Sequence, residues 1–94
     1  MDRAEALAIA HAELAVLREA TYFQLVERLI DKQEVAERVG ASGTRYQIEK
    51  QAVWDDKPNG NLRVIVSIDD GGWRAYKPLG EDFIRAPDGS FIGE

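Results

Sequence analysis

Apolar residues in this chain recur every three or four positions through the first forty residues, and every second position from Thr44 onward. That change of period constrains the fold more than any other feature, because a three-four repeat lines one stripe of a helix and a two-residue repeat lines one face of a strand. Helices in one block and strands in the next make an α+β fold, with N-terminal helices packed on an antiparallel β-meander.

Asp2 and Glu5 have capping-box spacing, so the first helix is expected from residue 3. Leu7, Ala10, Leu14, Leu17, Thr21, Leu25 and Leu29 form its apolar stripe, and Tyr22, Val26 and Ile30 widen it. Thr21 with Gln24 has the spacing of a second cap that would break this helix in two; the continuous stripe favours one helix over 3–30. Asp31 with Glu34 repeats the capping box, and Ile30 with Val35 occupies the staple positions around it, predicting a second helix over 32–39 closed by Gly40. Ala41-Ser42-Gly43 reads as a short flexible connector.

Alternation then predicts strands over 44–55, 61–69 and 73–77. Lys57-Pro58-Asn59-Gly60 suits a type I turn with Gly60 in the left-handed position of a bulge, a three-residue loop that places Trp54 opposite Val64. One residue of slip would exchange the two faces, so the apolar pattern selects this parity. Asp70-Gly71 can form a two-residue turn that pairs Ile68 with Trp73 and Ile65 with Tyr76. The expected inner face is Tyr46, Ile48, Ala52, Trp54, Leu62, Val64, Val66, Ile68, Trp73 and Ala75. On the outer face Val53, Ile65 and Tyr76 would form one apolar row. Pro87-Asp88-Gly89 predicts a terminal hairpin of 83–86 with 90–93.

A chain of 94 residues has room for one hydrophobic core, so 1–94 is read as a single domain. With 45% apolar and 31% charged residues it lies away from the composition of disordered chains. The absence of cysteine excludes disulfides, thiolate metal ligands and a cysteine nucleophile. Residues 1–40 carry five basic against eight acidic side chains and residues 41–94 seven against nine. Phosphate backbones are held by clustered Lys and Arg, so nucleic acid is not an expected partner, whereas a basic protein is accommodated. No apolar run approaches the roughly 20 residues needed to cross a bilayer, and no membrane association is expected. The opening Met1-Asp2-Arg3 lacks the basic and apolar segments of a signal peptide, so a cytoplasmic location is expected.

Motifs for catalysis are absent. Asp55, Asp56, Asn59 and Asn61 resemble a calcium loop, but Lys57 and Val66 stand where an EF-hand needs oxygen ligands, so these Asx residues read as turn formers and neither metal nor cofactor is expected. His11 is the single histidine. The serines lack a nucleophile-elbow context and no glycine-rich phosphate loop precedes a helix. The stretch Leu62-Arg63-Val64 through Asp70-Gly71-Gly72-Trp73-Arg74-Ala75-Tyr76, with Pro78-Leu79, Phe83-Ile84 and Pro87-Asp88-Gly89-Ser90-Phe91, resembles a family of small uncharacterised bacterial proteins. The resemblance covers about the C-terminal half and implies a bacterial cytosolic domain, with no activity to carry over.

Two functions are compatible with these readings. The favoured one is a non-enzymatic protein-interaction or self-associating domain, a possible homodimer, that uses Val53, Ile65 and Tyr76 with Arg74 and Glu49 at the rim. The other is a small-molecule-binding domain or minor enzyme, with a pocket between helix and sheet lined by Tyr22, Trp54, Trp73 and His11.

Overall fold

The computed structural model describes residues 2–71 and 79–94. Two N-terminal helices, α1 (Arg3–Arg18) and α2 (Tyr22–Leu29), precede an antiparallel sheet of β1 (Glu34–Val39), β2 (Arg45–Trp54), β3 (Leu62–Asp69), β4 (Leu79–Arg85) and β5 (Phe91–Ile92). The strands lie in sequence order. This is the α+β arrangement expected from the change of period, with more strands and a broken first helix.

The helical half divides at Thr21, not into one helix over 3–30. Thr21 Oγ1 accepts from the Gln24 N–H at 3.1 Å and Gln24 Oε1 accepts from the Thr21 N–H at 2.8 Å, a complete capping box. The reciprocal cap starts a new helix although the apolar stripe continues through it. Ala6, Ile9, Ala10, Leu14 and Leu17 of α1 and Tyr22, Leu25 and Leu29 of α2 are buried against the sheet.

Residues 34–39 are a strand, which corrects the expected second helix. Ile30 already has extended backbone (ψ 128), and Asp31 takes a left-handed φ of 57, so the chain turns out of α2 where a helix N-cap was expected. Val35 and Val39 are four residues apart and share a face in either conformation, so periodicity could not separate helix from strand. The free edge of β2 decides it: its outward N–H and C=O groups need partners, and β1 supplies them from Glu34 opposite Lys50 to Val39 opposite Arg45. Ala41-Ser42-Gly43 is a tight turn, in which Gly40 N–H donates to Thr44 C=O, Gly43 N–H to Gly40 C=O, and Gly43 has φ 87.

Between β2 and β3 the register differs from the expected one by two residues. Trp54 stands opposite Leu62 and Ala52 opposite Val64, because the loop is five residues, 56–60, closed by Asp55 N–H donating to Asn61 C=O. Asp56 Oδ1 accepts from the N–H groups of Lys57 and Asn61, both at 2.7 Å, and so folds the extra residues into the loop. The left-handed residue is Asn59 (φ 64), not Gly60. A Cβ on Gly60 would strike the Asp56 carboxylate. A two-residue shift preserves side-chain parity, so Tyr46, Ile48, Ala52, Leu62, Val64, Val66 and Ile68 all lie in the core as expected, with Trp54 half-buried beside them.

The strand beside β3 is 79–85, with Ile68 opposite Leu79 and Leu62 opposite Arg85. The expected pairings of Ile68 with Trp73 and Ile65 with Tyr76 are thereby replaced, and the predicted strand 73–77 lies outside the described residues. The terminal hairpin forms with bounds of 79–85 and 91–92. Ala86 N–H donates to Ser90 C=O, and Gly89, at φ 92, supplies the bulge position.

Glu5 joins the two halves. Its backbone N–H donates to Asp2 Oδ1, but its carboxylate does not complete the expected box. Instead it accepts from Ser42 Oγ at 2.6 Å, the Ser42 N–H at 3.0 Å and Tyr46 Oη at 2.7 Å. The Ser42 hydroxyl foremost, then Tyr46 and the Ser42 N–H, hold the Glu5 carboxyl below its ordinary 4.5, while burial foremost and Glu5 push the Tyr46 phenol above 10.0. A carboxyl with a lowered folded pKa contributes stability that is complete above its unfolded pKa and is lost as pH falls through the folded value. The raised phenol contributes below its unfolded pKa and loses that contribution as pH rises through the folded value. Urea midpoints are therefore expected to fall below pH 4.5 and above pH 10, with the acid limb shallower in Glu5→Gln and the alkaline limb shallower in Tyr46→Phe. Limbs unchanged in both variants would contradict this assignment.

Candidate interaction surface

The helices cover one face of the sheet. On the other face the register sets Val53 opposite Arg63, Arg63 opposite Ile84, and Ile84 opposite Ile92, a row across β2, β3, β4 and β5. Ile65 lies one step along β3, between Gln51 and Asp82. Val53 and Ile92 are exposed, and Ile65 and Ile84 are half-buried. The expected alignment of Val53 with Ile65 does not form, because the five-residue loop moves Arg63 into that place. Val53 and Ile65 remain on the same face as diagonal neighbours.

Arg63 is held between two carboxylates. Its Nη1 donates to Asp82 Oδ2 at 2.7 Å, and its Nη2 and Nε donate to Asp55 Oδ1 at 2.8 and 3.1 Å. Those bonds, to Asp82 first and Asp55 second, reinforce its protonated form. The guanidinium charge is therefore answered at its place in the row. Glu49 is opposite Val35 and Ser67, and it accepts from Gln33 Nε2 at 3.1 Å. The carboxylates beside the row, Asp55 and Asp82, are both engaged by Arg63, whereas Glu49, Glu37 and Asp69 lie four to six residues farther along the same face, with Glu37 paired to Arg45 at 3.1 Å. Arg74 and Tyr76 lie outside the described residues.

Ile84, Ile92 and Arg63 complete the row, and none was singled out from sequence. The signal was present: once Ala86 pairs with Ser90 across Pro87-Asp88-Gly89, two steps back along each strand bring Ile84 to Ile92.

Of the residues of the alternative pocket, Tyr22 and His11 have different partners. Tyr22 Oη donates to Gly60 C=O at 2.6 Å, and burial first, then the charge of Asp56, pushes its phenol upward. His11 is exposed, 3.7 Å from Glu81, beside a cleft of about 270 Å³ lined also by Leu14, Ala15, Arg18 and Asp82. Glu81 is opposite Val66 in the middle of β3, whereas Gly60 lies six residues earlier in the loop that precedes β3, so the imidazole and the phenol engage different parts of the sheet. Trp54 packs against the core, and Trp73 lies outside the described residues.

No protein-family model, curated protein or solved structure matches this chain, so the resemblance noted in its C-terminal half stands on its residues alone. Among the described residues no helix is long and apolar enough to cross a membrane.

Proposed function

We propose that this chain is a non-enzymatic protein-interaction domain that binds through the uncovered face of its sheet. The observation that carries this reading is the four-strand row of Val53, Arg63, Ile84 and Ile92, with Ile65 beside it, on a face that an ordinary one-sided sheet leaves polar. Its partner is a protein that presents apolar side chains to the row and carries Lys or Arg toward a chain whose net charge is −5. A bacterial cytosolic setting agrees with the composition and with the residues of the C-terminal half.

Photo-crosslinking in cells tests the reading. A photoreactive residue at position 53 is expected to yield an adduct of one defined mass, lost when Ile84→Asp is added, while the same residue at position 23, an exposed Phe on α2, yields none. The absence of an adduct from position 53, or an equal one from position 23, would remove the proposal. Ile84 is half-buried, so an unchanged melting temperature for Ile84→Asp is the accompanying control.

A further inference from the structure

We infer that the β1 edge is a self-pairing interface, where two copies of this chain join antiparallel across a two-fold axis at Ala36 to make a continuous ten-stranded sheet. This goes beyond the reading above, since it concerns the edge of the sheet and not its outer face, and it names a second copy as the occupant of that edge.

The two ends of the sheet differ. β5 has two residues, and Glu94 just beyond it is tied back to Arg18 through bonds of 2.7 and 2.9 Å. β1 has six residues with neither Pro nor Gly among them, and five of the six are exposed. Natural edges are usually blunted by shortness, bulges, proline or charged side chains, and of these β1 carries only charge, as Glu34, Glu37 and Arg38, in both signs, so that a second copy can answer Glu34 and Arg38.

Backbone geometry then selects the residues that can pair. Gly40 bonds Thr44, and bonded positions alternate along an antiparallel ladder, so Glu34, Ala36 and Arg38 bond β2. The N–H and C=O groups of Val35, Glu37 and Val39 point off the sheet. A two-fold pairing must set these odd-numbered residues opposite one another, which leaves few registers.

Charge separates them. An axis at Glu37 would put that carboxylate opposite its own copy, an axis at Arg38 would do the same for two guanidiniums, and an axis at Val35 would set Arg38 against Lys32. With the axis at Ala36, Glu34 faces the second copy's Arg38 and Arg38 faces the second copy's Glu34. Both are non-hydrogen-bonded positions, where opposed side chains lie closest. Arg38 is already 3.5 Å from Glu13, and Glu34 2.8 Å from Arg28, and all but Glu13 are at least 39% exposed. The crossing therefore links two existing pairs into one row of alternating charge, from Glu13 through Arg38 to the second copy's Glu34 and Arg28. Ala36 at the axis leaves room for the close approach.

Light scattering coupled to size exclusion at low salt is expected to give twice the 10.5 kDa of one chain. Glu37→Pro removes an outward N–H while the β1–β2 bonds stay, so it is expected to give the single-chain mass with an unchanged circular dichroism spectrum. Arg38→Glu and Glu34→Arg each place like charges at both crossings and are expected to be monomeric alone. Mixed in equal amounts they restore complementarity and are expected to form a dimer of one copy of each. A monomeric wild type would overturn the pairing and leave the outer-face reading to its own crosslinking test. A dimer indifferent to Glu37→Pro would place self-association elsewhere, and a mixture that stays monomeric would overturn the register at Ala36.

Discussion

Replacing Phe83 with alanine is expected to destabilise this fold by about 3–5 kcal/mol, the usual cost of emptying a buried aromatic site. Phe83 is 3% exposed, stands opposite Val64 on the helix-facing side of the sheet, and meets Phe91 edge to face at 5.6 Å between ring centroids. The Arg18 guanidinium lies over both rings, 5.0 Å from that of Phe83 and 4.7 Å from that of Phe91, and is tied to Glu94. Deleting the ring therefore leaves a cavity and also loosens the seat of the C-terminus against the end of α1. Arg85 remains, with its Nη1 donating to Ala20 C=O at 2.9 Å, so the loss falls on packing. For a domain of this size the melting temperature should drop by roughly 12 °C or more. Thermal unfolding followed by circular dichroism checks this, and a drop of only a few degrees would mean the ring is not part of the core.

The second large effect comes from a charge pair between helix and sheet. Lys50 lies on the inner face opposite Val66, and its Nζ is 2.9 Å from Glu13 Oε2 on α1; the two side chains are 16% and 18% exposed. Breaking a fully buried pair by removing one partner costs about 3–5 kcal/mol, and residual solvent access here reduces that to roughly 1–3 kcal/mol for Glu13→Leu. Glu34 is opposite Lys50 across the strands but is already engaged by Arg28. Adding Lys50→Met to Glu13→Leu removes the stranded charge and is expected to restore most of the lost stability, since apolar replacement of both members of such a pair is commonly near neutral. Urea denaturation of the wild type, both single variants and the double variant measures the coupling directly. Additive losses would show that the two side chains do not act on each other.

These two sites differ in how far they could be read in advance. Phe83 was legible as an apolar residue of a terminal hairpin, but its place in a seven-residue strand beside β3 was not. Pro78 and Gly80 weaken the strand pattern there, and Asp70-Gly71 offered a closer turn. The inward position of Lys50 follows from parity with Ile48 and Ala52, yet a lysine is ordinarily assigned to the wet face. Only the carboxylate of Glu13, brought over by α1, makes the inward position tolerable. The outer-face row shows the same division: Val53 and Ile65 were found by alternation, and Arg63 entered between them because Asp56 folds two further residues into the preceding loop.

Local chemistry in the chain was sufficient for the α+β class, the cap at Asp2, the parity of both long strands and the turn at Pro87-Asp88-Gly89, because each depends on side-chain period or on backbone preferences within a few residues. The state of residues 34–39 was settled by the exposed ladder groups of β2, which a six-residue segment with either period could satisfy as a strand. Register between β2 and β3 came from hydrogen bonds that one aspartate makes inside its loop, and the neighbour of β3 came from competition between distant segments. Those choices balance long-range partners against one another, and period and propensity carry no record of which partner is in reach.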